Sequence, residues 1–219
     1  MLSQLSFKER YLADILELNE YRLSDPQKIY FPFAEANGAD SIMDVYHNEF
    51  GGKEHLPGLT LRFPLIWNDH YLQLDDELSF NRYRAKTLKS SIYLYCKSFK
   101  VDNYKRYCRI YEKDCLKKGL QENIWSNPDA VRLFGPPAET GDFFGVGSPG
   151  WMFNALQEMA ADVYAYTHKL KLVRISIYDT IMTNGHLQQI GKLFESRQNK
   201  HQDALFKYLS GRLKTATGS

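Results

Sequence analysis

Residues 141–178 read GDFFGVGSPGWMFNALQEMAADVYAYTHKLKLVRISIY, and the fold class turns on how that stretch divides. Gly141, Gly145, Gly147 and Gly150 crowd its first ten positions, which marks a turn rather than a regular element. Ser148 followed by Pro149 has the form of a helix N-cap and first helical residue. Phe153, Leu156, Met159, Ala160 and Val163 then recur at helical spacing and give one apolar face. Leu172 to Tyr178 is an apolar, β-branched run of strand length, so it enters a core. A turn feeding a helix and then a strand makes the chain α+β or α/β.

Working outward, Ser6 and Glu9 have capping-box spacing, and Leu12, Ile15 and Leu16 carry a first helix toward Asp25-Pro26. Ile29, Tyr30, Phe31 and Phe33 suggest a short strand that Pro32 confines to an edge. Residues 37–57 read as a loop with one helical turn at 41–47. Leu59, Leu61, Phe63 and Leu65 alternate, Tyr71 to Leu74 repeats the pattern, and Asn68-Asp69 between them predicts a mid-chain hairpin. From Asp75 the period changes: Ala85, Leu88, Ile92, Tyr95 and Phe99 predict one helix, with the acids in its first turn. Tyr104, Tyr107, Cys108, Tyr111 and Cys115 predict a second helix beyond a break at Asp102-Asn103. Ile92, Leu94 and Cys96 also alternate, so a strand hairpin turning at Asp102-Asn103 competes. Residues 121–150 read as a long loop, and the stretch from Gly185 reads as helical, in one or two pieces. The expectation is a single globular domain over 1–214, with a mixed sheet and packed helices, and a flexible tail over 215–219.

Composition sets the bounds. The 219 residues are 43% hydrophobic and 25% charged with a net charge of +2, which suits a folded domain and gives no global field for nucleic acid or membrane. No apolar run is long enough to span a bilayer, and the start lacks a signal-peptide pattern. Cys96, Cys108 and Cys115 are odd in number and lack Cys-x-x-Cys spacing, so reduced structural thiols in the cytoplasm are expected. The six histidines form no compact ligand pattern and no metal is expected; His70 beside Asp69 is read as solvated at a hairpin tip. No cofactor is identified, and whether the chain is an enzyme stays open. The 15 tyrosines suit an interface between copies of the chain as well as a core.

Two stretches carry candidate chemistry. Glycines before a helix let backbone amides approach an anion at its positive end, so Gly145, Gly147 and Ser148 are candidates for cradling a phosphate-bearing small molecule, with Arg174 or Arg132 completing the site. Residues 141–194 also show Asp142, Phe144 and Gly145, then the turn, then a helix with Leu156-Gln157-Glu158 and Ala160-Ala161. A strand from Val173 to Ile177 and the pair Asp179-Thr180 follow. This order resembles the C-terminal half of thymidylate synthases and related pyrimidine-nucleotide hydroxymethylases, over roughly a quarter of the chain. The resemblance implies that Asp142, the Gly145 to Pro149 turn and Asp179 face a pyrimidine nucleotide. It supplies no nucleophile: no cysteine here follows a proline, and Thr140-Gly141 stands where the family has Arg-Ser. The implied member is therefore a divergent or a non-catalytic one.

The alternative is a nucleic-acid-binding or assembly protein. Between 82 and 109 the chain carries Arg82, Arg84, Arg106 and Arg109 among lysines, with Tyr83, Tyr93, Tyr95, Tyr104 and Tyr107 interleaved. Cations supply phosphate contact and aromatics supply base stacking. Cys108, flanked by Arg106 and Arg109, is read as buried rather than as a reactive thiolate.

Overall fold

A computed structural model describes residues 5–96, 98–122, 124–196 and 201–217. The chain is α+β, and its contacts gather into two compact units that interleave in sequence. One comprises residues 1–28, 62–76 and 169–219; the other comprises 29–61 and 77–168. Among the described residues no helix is long and apolar enough to cross a membrane.

The first unit opens with α1 (Phe7–Leu18), started by the expected capping box: Glu9 N–H donates to Ser6 Oγ at 3.2 Å and Ser6 N–H to the Glu9 carboxylate at 2.7 Å. Its end is a Schellman turn, in which Tyr21 N–H bonds the Leu16 carbonyl and Glu20 N–H the Glu17 carbonyl, with Glu20 left-handed at φ 67°. The sheet is mixed. β3 (Leu65–Trp67) and β4 (His70–Asp75) form the predicted hairpin around Asn68-Asp69, and β4 pairs in parallel with β5 (Lys171–Ser176). Leu65, Leu72, Val173 and Ile175 pack with Leu12, Ile15 and Leu16 of α1 and with Leu205, Leu209 and Leu213 of the last helix.

Beyond β5 the stretch predicted to be wholly helical begins with a hairpin, β6 (Thr180–Thr183) and β7 (His186–Gln189). Asn184 and Gly185 both take positive φ in its two-residue loop, the chemistry that turns a tight hairpin. Helices α8 (Ile190–Ser196) and α9 (Gln202–Thr217) follow. Thr215 to Thr217, expected in a loose tail, continue α9; residues 218 and 219 lie outside the described residues.

The second unit is organised around α7 (Pro149–Thr167), whose Ser148 cap and Pro149 start are as predicted. Its neighbours include α2 (Ala39–Asp44), α3 (Arg82–Thr87) and α6 (Pro128–Phe134). β1 (Gln27–Pro32) pairs with β2 (Gly58–Phe63), which buries the alternating Leu59, Leu61 and Phe63. The long helix expected from Asp75 to Phe99 is absent. Asp75 ends β4, Asn81 caps the six-residue α3, and a 3-10 turn at Ser91–Leu94 follows. α4 (Val101–Ile110) and α5 (Glu112–Glu122) come next, so the described residues of 82–122 form short helices joined by turns rather than a strand hairpin. Asp102 does not break the chain. It lies in the first turn of α4, where a carboxylate suits the helix dipole. α6 interrupts the predicted loop, started by Asn127 accepting from Ala130 N–H at 2.9 Å and by Pro128.

Candidate functional site

The 141–150 turn is held from both sides within the second unit. Asp142 N–H donates to the Glu139 carbonyl at 2.8 Å, and the exposed Asp142 carboxylate accepts Phe144 N–H at 2.9 Å. Tyr83 Oη donates to the Val146 carbonyl at 3.3 Å and accepts Ser148 N–H at 3.1 Å. Gly147 N–H bonds the Phe144 carbonyl at 3.0 Å, and Gly150 N–H bonds the Trp125 carbonyl at 3.1 Å. Ser148 Oγ accepts Trp151 N–H at 3.2 Å and donates to the Trp125 carbonyl at 2.8 Å. Pro149 has no N–H to offer. Of the donors that the sequence assigns to a phosphate, the Gly147 and Ser148 amides are thus engaged by the protein's own acceptors, and Ser148 is fully buried.

The glycines serve packing at two of these positions. A Cβ at Gly147 would lie 2.2 Å from Tyr83 Oη, and one at Gly150 would lie 2.1 Å from the Ile124 carbonyl oxygen. Gly145, at φ 60°, faces open space and serves the turn itself.

Asp179 belongs to the first unit, whereas Asp142 and the turn belong to the second. There it accepts Ser176 N–H at 3.2 Å and Tyr208 Oη at 2.8 Å, with Arg212 at 3.8 Å. Burial, then the Asp179 charge, pushes the Tyr208 phenol well above its ordinary value. Arg174, expected to complete a phosphate site, is buried and paired with Asp75 of the neighbouring strand. Arg132 is exposed, 3.9 Å from Asp129. His70 is not solvated: it is 3% exposed, tilted against the Trp67 ring, with Nδ1 3.0 Å from Asp69. Among the described residues no three His, Cys, Asp or Glu side chains gather as a metal site.

All three cysteines are free and buried. Burial pushes the Cys108 thiol up to about 12, even with Arg84 nearby to lower it, so it is no thiolate nucleophile.

The arginines of the basic-aromatic stretch separate sharply. Arg84 is not on a surface. It is 1% exposed, and its guanidinium meets Asp162 at 2.8 Å, Glu158 at 2.9 Å and Tyr93 Oη at 2.8 Å. Burial opposes its charge, but Tyr93, Asp162 and Glu158 outweigh that and hold it protonated. The sequence could not reveal this because Asp162 lies far along the chain, on α7. Arg82 is partly exposed, bonded through two nitrogens to Glu112 at 2.9 and 2.8 Å and seated 3.5 Å over the Phe143 ring. Tyr83, Tyr93, Tyr104 and Tyr107 are buried in the core, so of the five interleaved tyrosines only Tyr95 is exposed.

Arg106 and Arg109 of α4 are exposed as expected, and Lys113 and Lys117 of α5 extend them. Arg106 and Arg109 are three residues apart on α4, and Lys113 and Lys117 are four apart on α5, so each of these two pairs shares a face of its own helix; a break at Tyr111 separates the helices. Among the described residues none of the four enters an ion pair, whereas Arg82, Arg84, Lys86, Lys118 and Arg132 of the same unit all do. Lys113 and Lys117 lay outside the stretch that the sequence singled out, although their spacing continued its pattern.

No curated protein and no solved structure matches the chain. One family profile does, over residues 45–196, which contain α3 to α7 and the glycine-rich turn. The chain therefore belongs to the family described as a family of unknown function, DUF7255.

Proposed function

We propose that the protein binds nucleic acid through the exposed cations of α4 and α5, with Arg106, Arg109, Lys113 and Lys117 on successive backbone phosphates. The observation that supports this reading is that, among the described residues, these four exposed cations enter no ion pair, whereas Arg82, Arg84, Lys86, Lys118 and Arg132 of the same unit do. An exposed cation without a carboxylate partner gives up mainly water and counterions when a phosphate arrives, while a paired one must first lose its carboxylate. Arg106 lies 5.5 Å from the Tyr107 ring centroid and meets no carboxylate among the described residues. On each helix the two cations lie about one turn, roughly 5 Å, apart along the axis, so each pair offers two donors to one strand. The net charge of +2 does not oppose this, because the excess is local. The three free buried thiols fit work in the reducing cytoplasm. Nothing in this reading requires catalysis.

Reversing two of the charges tests it. Arg106→Glu with Arg109→Glu lies on exposed side chains, so the fold should survive, as circular dichroism will show. Fluorescence anisotropy with a labelled 15-mer of thymidylate at low salt should show affinity falling more than tenfold. Unchanged affinity in the folded double variant would remove the proposal.

A further inference from the structure

We infer that the nucleic acid taken by this face is single-stranded, and that Phe144 is the platform on which one of its unpaired bases stacks. The inference rests on the reading of α4 and α5 given above. Phe144 is 85% exposed, the most exposed large hydrophobic side chain among the described residues. Its backbone is fixed, because its N–H donates to Asp142 Oδ1 at 2.9 Å and its carbonyl accepts Gly147 N–H at 3.0 Å. An apolar ring held out on a fixed backbone gives contact area at low entropic cost, which is what a stacking partner needs.

The turn is also joined to the cationic helices within the same unit. The preceding ring, Phe143, points inward, with centroids 5.3 Å from Trp125 and 5.7 Å from Trp151. Arg82 covers Phe143 and bonds Glu112, the first residue of α5, next to Lys113. On the other side, a Cβ at Gly141 would lie 3.9 Å from Leu116 Cδ2 of α5. The turn that carries Phe144 is therefore anchored to α5 through Gly141 and Phe143, close in sequence to Phe144 itself. Of the carboxylates along this path, Glu112 is paired with Arg82. A duplex keeps its bases in its own stack and offers Phe144 nothing, whereas a single strand offers a base face and a phosphate run together.

The test compares wild type, Phe144→Leu and Phe144→Trp by anisotropy against three labelled 15-mers: thymidylate, a duplex, and a strand with abasic sites at its centre. The expected result is that thymidylate binds most tightly and that Phe144→Leu weakens it about tenfold, within the range that base–aromatic stacking supplies. Phe144→Trp should retain the affinity, and the abasic strand should be insensitive to Phe144→Leu. Equal affinity for strand and duplex, or no effect of Phe144→Leu on thymidylate, would overturn the inference. So would loss of binding to phosphatidylserine vesicles in Phe144→Leu with thymidylate binding intact, which would mark a membrane contact. The two proposals fail separately. If Arg106→Glu with Arg109→Glu abolishes thymidylate binding while Phe144→Leu does nothing, the cationic face stands without the platform; the reverse pattern removes the face.

Discussion

Cys108 shows how a single position is decided by its surroundings rather than its neighbours in sequence. Two arginines flank it, yet it lies on the buried stripe of α4 with Tyr104 and Tyr107, and burial raises its thiol from 9.0 to about 12. Because the folded value exceeds the unfolded one, the folded state holds the proton more firmly. Stability from this group is complete below about pH 9 and is lost as pH rises toward 12, at up to about 1.4 kcal/mol per pH unit. Urea titrations between pH 8 and 11 should show that decline shallower in Cys108→Ala than in wild type; parallel profiles would contradict the assignment. Burial of Cys108 was legible from helical spacing. The fate of Arg84 was not, since a sequence does not display which α7 carboxylates come to meet it.

At the scale of elements, local chemistry decided most boundaries. Glu20 occupies the left-handed position of the Schellman turn after α1, where a Cβ is penalised and glycine is not. Glu20→Gly should therefore stabilise the chain by about 1 kcal/mol, offset in part by greater freedom of the unfolded chain. A thermal melt showing no gain, or a loss, would mean that the Glu20 side chain makes a compensating contact.

The elements read correctly were those with a terminal signal beside a clear period: Ser6 with Glu9, Ser148 with Pro149, and Asn68-Asp69 between alternating strands. The same kind of signal was present and passed over at Asn127-Pro128, which starts α6, and at Asn184-Gly185, which turns β6 into β7. The spacing from Ala85 to Phe99 misled because aromatic residues at helical intervals also fill a core from a short helix and a 3-10 turn. Gly145, Gly147 and Gly150 fit an anion turn equally well in sequence. Only the partners of the Gly147, Ser148 and Gly150 amides show that two of those glycines answer to Tyr83 and the Ile124 backbone.

Across the whole molecule, the chain builds its mixed sheet from strands far apart in sequence: β4 ends at Asp75, and its parallel partner β5 begins at Lys171. The second unit's helical segment, from Glu77 to His168, lies between them and carries both the turn and the α4–α5 face. Charge is nearly balanced overall, at +2, so the nucleic-acid binding proposed above rests on the placement of cations rather than on composition. That makes salt dependence the most direct probe of the account. The measurement is the affinity of wild-type protein for a labelled thymidylate 15-mer across a series of salt concentrations, plotted on logarithmic axes. Four cations on a single strand predict a straight line with slope of about −3. No detectable binding at the lowest salt, or binding with a slope near zero, would contradict the claim that these helices hold phosphates.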